Sequence, residues 1–183
     1  MRRVIICMFL LVFPSICFAE PQPTNRFQIW SKGYQYRLAL RGKPVPLKFT
    51  AVDGREVDLS RMRGRVVLVD FWDTACEPCV AESPRIKAVF EKYHQKGFDV
   101  IGISDDTVKK KLERFLREKG ITWPQYFDGQ EGLDNKFFAE FGINGMPHMF
   151  LVDRKGCLHF DGVRAAGAKT DFEAKIESLL AEK

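Results

Sequence analysis

The sequence predicts an α/β fold in which a central mixed β-sheet is flanked by helices on both faces. Val66 to Val69 form a run too apolar for a half-exposed strand, as expected for a central strand covered on both faces. Strand-like and helix-like segments alternate from there to the end of the chain. Near the end, the turn Asp153-Arg154-Lys155-Gly156 separates two apolar segments and predicts an antiparallel hairpin, which makes the sheet mixed.

The remaining elements are predicted from periodicity: helices where apolar residues recur every three or four positions, and strands where they form short runs. In chain order these are a helix with Ile86, Val89, Phe90 and Tyr93, a strand over 98–103, a helix with Val108, Leu112, Phe115 and Leu116, a short strand over 123–127, a helix with Leu133, Phe137, Phe138 and Phe141, hairpin strands over 149–152 and 158–160, and a final helix with Phe172, Ile176, Leu179 and Leu180.

The N-terminus is typical of a secretory signal peptide. Arg2 and Arg3 precede an apolar stretch over 4–13, and a small-residue exit over 17–19 predicts cleavage before Glu20. The stretch is short beside the ~20 apolar residues of a membrane span, so an uncleaved anchor is the alternative. We therefore expect the protein to be periplasmic or otherwise secreted, or alternatively anchored in a membrane and facing the periplasm.

Domain organisation follows from the rest of the chain. Residues 1–19 form the predicted signal peptide, residues 20–43 a linker or ancillary segment, and residues 44–183 one domain large enough to build its own core. The formal net charge is +5, and basic residues are interleaved with acidic ones, as in Lys109-Lys110-Lys111 followed by Glu113. This pattern indicates solvated helix faces, and no nucleic-acid partner is expected.

Five cysteines are present, of which Cys7 and Cys17 would leave with the signal peptide. The three that remain are too few for a disulfide scaffold, so stability must come from a hydrophobic core. Cys157, at the predicted start of a strand, is interpreted as a structural thiol.

The motif Cys76-Glu77-Pro78-Cys79 lies where the central strand gives way to a helical pattern. Two cysteines separated by two residues can close a short disulfide. At a helix N-terminus, unpaired N–H groups and the macrodipole stabilise a thiolate, which makes Cys76 the candidate nucleophile. Cys79, one turn further in, can resolve a mixed disulfide. Half of a zinc site has the same spacing, but the sequence holds no second CxxC or CxxH, and no metal is expected.

Several motifs together resemble thioredoxin. Val69-Asp70-Phe71-Trp72 precedes the CxPC motif, Pro84 follows Cys76 by eight positions, and Gly145-Met146-Pro147 precedes a late strand. The resemblance covers residues 44–183. It implies a thioredoxin-like fold with an N-terminal extension and a central strand-helix insert between Ile121 and Phe141, features similar to the exported TlpA/ResA type.

The resemblance also implies roles for individual residues. Those expected to tune the redox chemistry are Asp70, as a buried proton relay, together with Glu77, Pro78 and the cis-proline Pro147; those expected to border the substrate groove are Trp72, Met146 and His148. Each has a plainer alternative, namely a solvated strand-end acid for Asp70, core packing for Trp72, and a trans turn residue for Pro147. Ala75 departs from the family, because members commonly place Trp directly before the first cysteine.

The resemblance implies a thiol-disulfide oxidoreductase that reduces disulfides of exported proteins and is recharged by a membrane dithiol donor. No cofactor is expected besides the two sulfurs, and cytochrome c maturation is one role of this type. Two alternatives remain. A thiol peroxidase of the peroxiredoxin type would need Thr or Ser where Asp73 stands. A copper-binding redox chaperone could use Met146, His148 and Met149 as ligands.

Overall fold

The computed structural model describes residues 26–166 and 169–182, so the predicted signal peptide, with Cys7 and Cys17, lies outside the described residues. The helices are α1 (Arg26–Ala39), α2 (Glu77–Tyr93), α3 (Lys109–Lys119), α4 (Lys136–Phe141) and α5 (Lys169–Ala181). The strands are β1 (Lys48–Thr50), β2 (Glu56–Asp58), β3 (Val66–Trp72), β4 (Phe98–Ser104), β5 (Gln125–Tyr126), β6 (His148–Val152) and β7 (Leu158–Val163). None of the helices within the described ranges combines the length and the apolar character that crossing a membrane requires.

The central sheet has five strands in the order β5-β4-β3-β6-β7. Strand β3 pairs in parallel with β4 and antiparallel with β6, and β6 continues into the predicted hairpin with β7. The prediction of a mixed sheet with β3 at its centre is therefore confirmed. Strand β5 is shorter than the predicted 123–127, and it begins after Pro124, which has no N–H to donate to a ladder.

The two faces of β3 build two separate core layers, because side chains alternate along a strand. Val67, Val69 and Phe71 pack with aromatic residues of α4, whereas Val66 and Leu68 pack against α2 and α5. All seven residues of β3 are buried. The alternation places Asp70 on the face of the sheet that α2 covers.

Helix α1 occupies most of the segment that the sequence predicted as a linker or ancillary piece. It packs closely on α4: a Cβ added to Gly33 would lie 2.3 Å from the carbonyl oxygen of Ala139. The buried Arg37 donates to the carbonyl oxygens of Phe141 and Gly142. Because a glycine and an arginine form the buried side of α1, its sequence lacks the apolar periodicity that reveals a helix.

Candidate functional site

The two cysteines of the CxPC motif form a disulfide at the start of α2, with an S–S distance of 2.00 Å. Cys76 is the N-cap of the helix, and its Sγ lies 3.3 Å from the backbone nitrogen of Cys79, which donates to it. Cys76 is half-buried, whereas Cys79 is 4% exposed. An incoming reactant can therefore reach the first sulfur far more easily than the second.

Two carboxylates hold the turn that leads into the disulfide. Asp73 accepts hydrogen bonds from the backbone N–H groups of Ala75 and Cys76. The buried Asp106 accepts from the backbone and the hydroxyl of Thr74, and it also accepts from Ser104 Oγ at 2.9 Å. The position where a peroxiredoxin-type site needs a hydroxyl is therefore filled by a carboxylate that already caps the turn.

Asp70 is buried, and no hydrogen-bond partner contacts its Oδ1 among the described residues. Burial, with a smaller contribution from the charge of Glu82, raises the pKa of Asp70 to about 8. The carboxyl group therefore holds its proton at neutral pH. It lies on the face of the sheet that is covered by α2, the helix that contains Cys79. This position agrees with the expected proton relay, which remains a prediction.

Glu82 is a buried neighbour of this site that the sequence reasoning missed. Its Oε1 accepts from Nε and Nη2 of Arg164 at 3.0 and 2.8 Å, and its Oε2 accepts from the backbone N–H of Ala165. The sequence pattern that could have revealed Glu82 is its position one turn after Cys79 and one turn before Ile86, on the apolar face of α2. A carboxylate at such a position needs partners to be buried.

The loop 142–147, called here the Pro147 loop, meets the disulfide from the other side. Its Met146–Pro147 peptide bond is cis. Met146 packs in one apolar cluster with Cys76, Cys79 and Trp72. The structure therefore brings the two predicted motifs, CxPC and Gly-Met-Pro, together around the sulfurs.

The other predicted site residues occupy different environments. Glu77 and Pro78 are exposed in the first turn of α2. Trp72 is 4% exposed, and its Nε1 donates to Gln125 Oε1 at 2.9 Å, which favours its packing role over groove contact. His148 contacts the ring of Phe71.

A hydrogen-bonded chain links His148 to α1. His148 Nε2 lies 2.9 Å from Asp161 Oδ1, and Asp161 Oδ2 accepts from Arg37 Nε at 3.1 Å. These neighbours lower the pKa of Asp161 despite its burial, because the ring of His148 and the guanidinium of Arg37 stabilise the carboxylate. The imidazole of His148 therefore points toward β7.

The three residues proposed as copper ligands do not converge. His148 and Met149 are consecutive in β6, so their side chains point to opposite faces of the sheet, and Met149 is buried in the layer beneath α2. Within 26–166 and 169–182, one group of at least three His, Cys, Asp or Glu residues has its ligand atoms within 4.8 Å of one another, and it is formed by Asp153, His159 and Glu182. That group is at the opposite end of β6 from Pro147, and its His and Glu are exposed.

Comparison with known proteins gives a consistent result. Residues 40–177 match the Redoxin family. The chain is 28% identical over 116 residues to the thiol-disulfide oxidoreductase ResA of Bacillus thuringiensis, a match that spans 63% of this chain and 65% of that protein. It is also 28% identical over 128 residues to ResA of Geobacillus thermodenitrificans, covering 70% and 71%. The chain thus spans slightly less than two thirds of the first of these relatives.

Solved structures show the same fold. A thiol:disulfide interchange protein of the thioredoxin family from Chlorobium tepidum superimposes with a TM-score of 0.64, covers 75% of this chain and 96% of its own, and is 24% identical. Most of the length of this chain therefore matches one family. The same chain has the mixed sheet, the CxPC disulfide at a helix N-terminus and the adjoining cis-proline. This protein belongs to the Redoxin family and has the thioredoxin fold.

Proposed function

We propose that this protein is an extracytoplasmic thiol-disulfide oxidoreductase that reduces disulfides in exported proteins. The observation that carries the proposal is the difference in access between the half-buried Cys76 and the buried Cys79 at one helix N-terminus. The similarity to proteins named ResA supports the reaction type. The signal-like N-terminus supports the location.

The reaction consists of two thiol-disulfide exchanges. The Cys76 thiolate attacks one sulfur of a substrate disulfide, a Cys76–substrate bond forms, and the other substrate sulfur leaves as a thiolate. Cys79 then loses its proton and attacks Cys76 Sγ, which closes the Cys76–Cys79 disulfide and releases the second substrate thiolate. Two electrons pass from the protein to the substrate. A dithiol donor must return them, and we propose one in the membrane.

Each step has a group in the site that assists it. The start of α2 stabilises the Cys76 thiolate through its unpaired N–H groups. A base is needed for the second step because Cys79 is buried, and a neutral thiol is a poor nucleophile. Asp70, on the same face of β3 as α2, is the candidate for that base. Since burial raises its pKa to about 8, its ionised fraction increases steeply across neutral pH.

The test is the reduction of insulin by dithiothreitol with catalytic amounts of the protein lacking residues 1–19. We expect acceleration by the unaltered protein and none by Cys76→Ser. We expect Cys79→Ser to accumulate a covalent complex with its substrate, visible by mass spectrometry. Cys157→Ser is the matched control, because Cys157 is a free thiol outside the disulfide. Full activity of Cys76→Ser would exclude the mechanism.

A further inference from the structure

A cavity of about 270 Å³ lies beside the Pro147 loop. Its apolar walls include Leu133, Phe138, Ile143 and Met146, and Asp105 contributes a carboxylate. Met146 also packs against the apolar cluster of Trp72, Cys79 and Leu112, which Cys76 borders as well, so one residue of the cavity wall belongs to the surroundings of the disulfide. The space is therefore next to the place where a reacting substrate must lie.

Asp105 is held in this wall by the backbone. It follows β4 directly, its N–H donates to the carbonyl oxygen of Trp72 at 2.9 Å, and the residue is 7% exposed. Both carboxylate oxygens accept from the backbone N–H of Gly132, at 2.8 and 3.0 Å. An ionised carboxylate offers about four lone-pair sites, so one N–H group leaves acceptor capacity unused.

The electrostatic surroundings of Asp105 favour a cation. Within residues 26–166 and 169–182, no Lys, Arg or His forms an ion pair with it. Burial, and then the charges of Asp73, Glu131 and Asp128, raise the pKa of Asp105 to about 6, although the Gly132 hydrogen bond opposes this. Arg26 also lines the cavity, but its guanidinium is exposed and lies 3.3 Å from Asp134 Oδ2. A positive group that entered would meet negative charge and would satisfy the unused acceptors.

We propose that this cavity is a substrate subsite that accepts a Lys or Arg side chain of the polypeptide whose disulfide reacts with Cys76. The apolar walls fit the aliphatic stem of such a side chain, and Asp105 forms a charge-assisted hydrogen bond with its ammonium or guanidinium head. An acidic side chain would face the repulsion of Asp105, Asp73 and Glu131. This inference rests on the proposed function, and it adds a preference for disulfides that have a basic residue nearby in the chain.

The test uses peptides that contain one intramolecular disulfide and differ at a single position. Lys, Gln or Glu is placed in turn at the two positions before and the two positions after the reacting cysteine. The value of kcat/KM for reduction of each peptide is measured with dithiothreitol as donor. We expect the Lys peptide to exceed the Gln peptide by about tenfold at one position, as a hydrogen bond to a charged group implies, and the Glu peptide to be slowest.

Three variants locate the preference. Asp105→Asn keeps an acceptor for Gly132 and should bring the Lys-to-Gln ratio close to one. Glu91→Gln removes an equal charge from an exposed residue near the C-terminal end of α2, which is not among the charges around Asp105, and should retain the ratio. Circular dichroism verifies the fold of each, and Leu133→Trp, which fills the cavity, provides a second route to loss of the preference if Asp105→Asn does not fold.

The outcomes separate the two proposals. If the unaltered protein reduces no peptide, the proposed function is wrong. If it reduces the Lys, Gln and Glu peptides equally, the oxidoreductase function holds and the subsite is excluded. A preference for the Glu peptide would assign the cavity to Arg26 and would overturn the role of Asp105.

Discussion

Replacing Asp70 by Asn should stabilise the protein in a way that grows with pH. The pKa of Asp70 is raised from its ordinary value of 3.8 to about 8 because the carboxyl group is buried. Between these two values, the unfolded chain has released a proton that the native protein retains. Native stability therefore falls as pH rises through this window, and the fall should be absent when residue 70 is an amide.

The size of the effect follows from the width of the window. One pKa unit corresponds to about 1.36 kcal/mol, so the ionisation of Asp70 on unfolding lowers the free energy of unfolding by up to about 4 kcal/mol at pH 7. Near pH 4 this lowering of the free energy of unfolding is close to zero. Asp70→Asn should thus equal the unaltered protein in acid and exceed it in urea resistance at neutral pH.

Urea unfolding of the oxidised protein at a series of pH values from 4 to 8 measures this directly. Asp106→Asn is the matched control, because Asp106 is also buried but accepts hydrogen bonds from Thr74 and Ser104, so its replacement should destabilise at every pH. Parallel stability curves for Asp70→Asn and the unaltered protein would refute the raised pKa.

The same substitution should cost activity. Removing the base should slow closure of the Cys76–Cys79 disulfide, by a factor of ~100 if general-base assistance has its usual size. The rate of the unaltered protein should rise toward pH 8 as Asp70 ionises. A variant that is more stable but equally fast at all pH values would leave Asp70 without a role as a base.

Two further predictions concern helix α1 and its connection to the Pro147 loop. Gly33→Ala places a Cβ 2.3 Å from Ala139 O, and forcing this contact apart should cost about 1–3 kcal/mol of unfolding free energy, measured in urea; an unchanged midpoint would contradict the close packing of α1 on α4. His148→Thr removes the hydrogen bond to Asp161 and should also cost about 1–3 kcal/mol. Thiolate absorbance should show little change in the Cys76 titration, because the imidazole of His148 points toward Asp161 on β7; a clear rise in the pKa of Cys76 would instead show that His148 tunes that thiol.

Most of the sheet and the reactive pair could be predicted because their signals are local. The apolar run of β3 predicts the strand. The CxPC motif that follows within a few residues predicts the helix N-terminus and the spacing of the two sulfurs. Helix α1 could not be predicted in the same way, since Gly33 and Arg37 form its buried side.

The polar parts of the site depend on pairs far apart in the chain. Glu82 is compatible with burial because of Arg164, and Asp105 gains its environment from Gly132 and the Pro147 loop. Spacing along a sequence does not encode such partners. The chemistry of the two sulfurs was accessible from the sequence, whereas the groups that surround them became visible with the fold.

The position of Arg37 bears on how small a folding unit this chain can be. Its guanidinium holds the Phe141 and Gly142 carbonyls at the start of the Pro147 loop and, through Asp161, the His148 side chain at its end. A fragment that began at residue 44 would leave these acceptors without their donor in the protein interior, an expensive state for buried polar groups. The match to the Redoxin family begins at residue 40, yet we expect autonomous folding with an ordered Pro147 loop to require the helix before it.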